Sequence, residues 1–158
     1  MSARALPDVA AILGPLLAGV GPAERPLLLA IAERMAAERY RRWAGEVADA
    51  EVRTGLLACA EREDEIASRV EAAVVDAAAV QQRLRADHPT LAAINDGIFA
   101  GRPLREQFAI QASGERLGAA TWRGFAAAHP DAAIRAAFLA CAPLEEASAA
   151  FLEGVLAR

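Results

Sequence analysis

From about residue 23 to residue 156, apolar side chains recur every three or four positions, and no period-two alternation of β-branched and aromatic residues is sustained. That spacing lines one face of an α-helix. Ala, Leu, Arg and Glu dominate the chain, and all are strong helix formers. Ala alone fills 42 of the 158 positions. The expected fold class is therefore all-α, and the length fits one domain with a buried core.

The helix breakers divide the chain. Gly21-Pro22 precedes a helix from about Ala23 to Ala48, and Asp49 reads as the N-cap of a second helix reaching about Val75. Residues 76–102 contain Pro89, Asn95-Asp96-Gly97 and Gly101, and they read as a crossover with a short helix, Leu91–Ala100. A third helix is expected from about Pro103 to Ala128. His129-Pro130-Asp131 ends it and caps a fourth, which runs to about Leu156. Each helix has roughly 25 residues and spans about 38 Å. The tight links make 23–75 and 103–156 antiparallel hairpins. With the long crossover between them, the pattern describes a four-helix bundle. Pro143 removes a helical hydrogen bond and is expected to bend the fourth helix. Residues 1–20 read as a short packing segment. The apolar run 5–20 resembles a weak secretory core, yet Arg4 is its only early cation, and Pro7, Asp8 and Pro15 interrupt it.

Composition excludes several functions. The net charge is −4 and the 17 cations, all Arg, are scattered, so no nucleic-acid footprint is expected. Aromatic residues make up 5%, too few for a base-stacking platform. No run of 18 apolar residues exists, so no membrane span is expected. Two Cys fit a reducing compartment and a cytoplasmic location, and read as small buried hydrophobes. The chain lacks Gly-x-Ser-x-Gly, a P-loop, a dinucleotide fingerprint and CxxC spacing, so hydrolase or transferase chemistry has no visible support.

Displaced by 82 residues, segment 32–71 falls on 114–153 without a gap, with fifteen of forty positions identical. Six of these are Ala, which any two Ala-rich amphipathic helices would share. The other nine include Glu33/Glu115, Arg34/Arg116, Asp49/Asp131, Cys59/Cys141 and Glu63/Glu145. Tyr40 falls on Trp122. Two such hairpins facing each other would be related by a pseudo-twofold axis.

Four of the matched residues are acidic and lie on core-facing stripes. Glu33 shares a face with Tyr40, Ala36 and Ala37, and Glu115 with Trp122, Gly118 and Ala119. Cys59, Glu63, Ile66 and Val70 form one stripe. Cys141, Glu145, Ser148 and Leu152 form its copy. Small neighbours leave open volume that a core packed for stability alone would fill. Burying one unpaired carboxylate costs several kcal/mol, and four together repel. A cation can neutralise them, some can hold protons, or arginines and water can pair them. Arg34 and Arg116 are expected at the edge of the bundle rather than at its centre.

This arrangement resembles the ferritin-like superfamily, rubrerythrin-like members included, over about residues 23–156. That resemblance implies a di-metal centre with one Glu from each of the first and third helices and a Glu-x-x-His from each of the second and fourth. Glu33, Glu115, Glu63 and Glu145 match its four glutamates. Both histidine positions are replaced, by Ile66 and Ser148, and His88 and His129 lie elsewhere. The resemblance thus implies an all-oxygen site for a divalent metal. Such donors suit Mg²⁺, Ca²⁺ or Mn²⁺ better than a redox-poised Fe²⁺ pair; were the chain an enzyme, the resemblance points to a metal-dependent oxidoreductase, against which the missing histidines argue. Two other readings stay open: a non-enzymatic interaction module without metal, and a binder of an apolar ligand in the small-residue space. The apolar stretch from Leu91 to Phe99, with Leu104 and Phe108, is expected to pack along the bundle or to form a homodimer surface.

Overall fold

In the computed structural model, which describes residues 5–158, the chain is all-helical. Among the described residues there are seven helices: α1 (Val9–Ala18), α2 (Arg25–Glu46), α3 (Ala50–Ala73), α4 (Ala77–Asp87), α5 (Leu91–Phe99), α6 (Leu104–Ala128) and α7 (Ala132–Leu156). The first four residues of the expected 1–20 packing segment lie outside the described residues. None of these helices is long and apolar enough to cross a membrane.

The four long helices start and stop where local chemistry requires. Pro26 sits in the first turn of α2, where its missing N–H costs nothing. Asp49 and Asp131 are extended N-caps whose side chains accept from the N–H groups of Val52 (3.0 Å) and Ile134 (2.9 Å). α7 continues through Pro143. The crossover holds more helix than its breakers suggest. Residues 77–87 contain neither Gly nor Pro and form α4, which buries Ala77, Gln81 and Leu84. Asp76, with φ +57°, turns the chain between α3 and α4.

Packing follows the two short links. α2 pairs with α3 and α6 with α7, and α3 lies against α7. Ion pairs report the directions. Arg34 meets Glu71 while Arg41, seven residues on, meets Asp64, seven residues back. Arg116–Glu153 and Arg123–Glu146 do the same in the second hairpin. Both hairpins are therefore antiparallel. Arg39 bonds Gln111 and Trp43 bonds Gln107, so α2 and α6 also run antiparallel. α3 and α7 approach closely at Gly55, where a Cβ would lie 2.0 Å from the Phe151 ring. The result is a bundle-like arrangement of four long helices, with α4 and α5 in the crossover.

The apolar interior is divided. One cluster holds Leu27, Ile31, Ile66, Val70, Trp122 and Phe138. The other holds Tyr40, Trp43, Leu56, Phe108, Ile110 and Leu152. Along α2, α3, α6 and α7 alike, a buried glutamate separates residues of one cluster from residues of the other. Of the apolar crossover set, Leu91, Ile98, Phe99 and Phe108 are buried within the chain, and Leu104 is half-buried against the second cluster.

Candidate metal centre

Glu33, Glu63, Glu115 and Glu145 are all buried, with relative exposures of 7%, 0%, 1% and 1%. Glu33, Glu63 and Glu145 each offer an oxygen, and these atoms lie within 4.8 Å of one another. Glu115 stands beside that trio rather than within it. Its Oε1 accepts hydrogen bonds from the Tyr40 hydroxyl and from Gln111 Nε2, both at 2.6 Å. The Trp122 indole N–H donates to Glu145 Oε1 at 2.8 Å, and Ser148 Oγ donates to Glu63 Oε1 at 3.1 Å. Glu63 Oε2 and Glu115 Oε2 are buried and have no hydrogen-bond partner among the described residues.

Local sequence makes room for these acids. At Gly118 a Cβ would fall 2.5–2.9 Å from the Glu145 carboxyl atoms, so glycine clears the space that the carboxylate fills. Ile66 and Ser148, which stand where the resemblance places histidines, are both fully buried. Ser148 still contributes a donor to the cluster. His129 accepts from the Asp131 N–H at the α6–α7 link, and His88 ends α4. Neither belongs to the cluster.

The electrostatics are unusual because no counter-charge bonds the carboxylates directly; the charge of buried Arg39 is felt at Glu33, and Arg39 reaches Glu115 only through Gln111. Among the described residues, no Arg or His forms an ion pair with any of the four glutamates. Arg34 and Arg116 pair outward, with Asp64 and Glu71 and with Glu153 respectively. Direct pairing by arginine, one of the three ways to hold buried carboxylates, is therefore not used among the described residues. Burial, reinforced by the Glu115 charge, raises the Glu33 carboxyl to about 7. Burial, then the charges of neighbouring glutamates, pushes Glu63 and Glu145 well above the usual carboxylate range. Tyr40 is likewise raised by burial and by Glu115, which keeps its hydroxyl a proton donor.

Four participants, Tyr40, Trp122, Gln111 and Arg39, are not marked as polar site residues by the sequence. Tyr40 and Trp122 look like core aromatics, and their rings are fully buried, but their polar ends bond carboxylates. Gln111, four residues before Glu115, is the one addition that helical spacing could have indicated. Arg39 is 4% exposed and donates to Gln111 Oε1 and Asn95 Oδ1, with its guanidinium 4.0 Å from the Phe99 ring centroid. Burial lowers it to about 10, so it stays charged at neutral pH. The cysteines are buried and unpaired, and burial pushes the Cys141 thiol up to about 12.

The donor set fits a hard divalent cation. Opposite oxygens of an octahedral Mg²⁺ site are about 4.2 Å apart, and those of Ca²⁺ about 5 Å. Three carboxylate oxygens within 4.8 Å of one another are thus close enough to share one such ion. Two unpartnered buried oxygens add acceptors that lack a donor. Fold and site together define an all-helical protein with a buried carboxylate cluster. Comparison with protein-family models, curated proteins and solved structures finds no match to this chain.

Proposed function

We propose that this chain is a ferritin-like bundle protein with a degenerate, histidine-less centre that binds a divalent metal ion. Glu33, Glu63 and Glu145 supply the oxygens, and Glu115, held by Tyr40 and Gln111, lies beside them. Mn²⁺ and Mg²⁺ suit the all-oxygen donors best, with Fe²⁺ less favoured. The observation that carries this reading is the convergence of three buried carboxylate oxygens within 4.8 Å without an arginine partner. The recurrence of the Arg34–Glu71 and Arg41–Asp64 pairs 82 positions later, as Arg116–Glu153 and Arg123–Glu146, supports two related hairpins.

Elemental analysis of chain purified without chelator, with Mn²⁺ titration followed by thermal denaturation, tests the reading. Mn²⁺ at 100 times its dissociation constant is expected to stabilise the fold by about 2.7 kcal/mol. Glu63→Gln removes one ligand oxygen and its charge, so this stabilisation is expected to disappear. The same substitution is expected to leave or raise the stability of the metal-free chain, because it relieves repulsion. Absence of bound metal, with wild type and Glu63→Gln responding alike to Mn²⁺, overturns the proposal. The cluster would then be a closed site held by protons.

A further inference from the structure

A cavity of about 190 Å³ opens beside the carboxylate cluster. α1 forms its outer wall through Val9, Leu13 and Leu17, which are only half-buried. Leu29 and Ala36 of α2 and Leu117 of α6 continue the apolar lining. At its inner end stand Glu33, Glu115 and Glu145. Gly114 also faces it, and a Cβ there would meet nothing within 4 Å. The volume somewhat exceeds the ~150 Å³ cavity that accommodates benzene.

The polar lining selects the chemistry of a ligand. The Arg39 guanidinium is engaged by Gln111, Asn95 and the Phe99 ring. Of the two buried oxygens without a partner among the described residues, the one on a lining residue is an acceptor, Glu115 Oε2. A ligand must therefore bring a donor to the inner end and an apolar body to the walls. The Glu115 oxygen left without a donor makes that end favour a donor, and an ammonium beside Glu33 favours its ionised form. We propose that this cavity binds a small primary amine, with its ammonium against Glu115 and Glu33 and its short hydrocarbon chain beneath α1. The site does not depend on metal binding, although the two share Glu33 and Glu145.

Thermal denaturation of the full chain in chelator near neutral pH, titrated with n-hexylamine and separately with hexanoate, tests the proposal. Hexylamine is expected to raise Tm saturably, and hexanoate is not. Glu115→Gln is expected to weaken hexylamine by about tenfold or more, the loss of one charged hydrogen bond. Gly114→Leu places a side chain in the open space and is expected to remove the hexylamine response while Mn²⁺ still raises Tm. Leu13→Trp, on the outer wall, repeats that test away from the bundle interior. The proposal falls if the cooperatively unfolding chain shows no saturable hexylamine response, or if hexanoate binds as well. It also falls if both cavity-filling variants respond like wild type. A hexylamine response in a chain indifferent to Mn²⁺ sustains this site and removes the metal reading alone.

Discussion

Two glycines four residues apart on α6 have opposite roles, and the difference lies in what a methyl group would meet. At Gly114 there is open space, so Ala gains the helix-interior advantage of about 0.5–1 kcal/mol. At Gly118 the same methyl meets the Glu145 carboxyl at 2.5 Å. Glu145 is also held by Trp122, so it cannot withdraw without breaking a buried hydrogen bond. Gly114→Ala is expected to raise Tm and keep the Mn²⁺ response, whereas Gly118→Ala gains no stability and loses that response. Equal behaviour in paired melts with and without Mn²⁺ would show that Glu145 is free to move. The sequence marks both positions only as small; the neighbour that distinguishes them comes from another helix.

Helix ends are the best-specified elements. Asp49 and Asp131 are themselves extended, and each accepts from the N–H three residues later. Asp49→Ala and Asp131→Ala are expected to cost about 1 kcal/mol apiece. The links they cap lie at opposite ends of the antiparallel α2–α6 pair, so the costs should add in denaturant melts of the double variant. A double variant no weaker than either single would mean the caps share one local unfolding unit. α4 is where reading by elements falls short. Pro89 and Gly97 mark the crossover as loose, yet the preceding eleven residues are good helix formers. Tertiary support completes that helix: Gln81 Nε2 donates to the Leu27 carbonyl and to Glu71 Oε1.

At the scale of the molecule, an acidic layer between two apolar clusters makes stability depend on pH. Glu33 holds its proton up to about 7 in the fold, against 4.5 ordinarily, and Glu63 and Glu145 are also shifted upward. The folded, metal-free chain therefore binds protons that the unfolded chain has released. That contribution is complete below about 4.5 and is lost as pH rises through the folded values. Tm in chelator should fall between about pH 5 and 8, and saturating Mn²⁺ should oppose the fall, because metal requires the deprotonated acids. A Tm that climbs across this window in chelator would contradict the protonated cluster.

Periodicity, breakers and caps by themselves determined the all-helical class and the course of the long helices, because these depend on residues within a few positions of one another. They also determined that Glu33, Glu63, Glu115 and Glu145 fall on otherwise apolar faces. Only the tertiary structure decided that three of these acids meet while Glu115 turns to Tyr40 and Gln111, since that depends on how side chains from separate helices share one interior. Arg39 beside Asn95, and the cavity that α1 roofs, are of the same kind. Each arises from contacts between distant segments, and no local pattern encodes the space left between them.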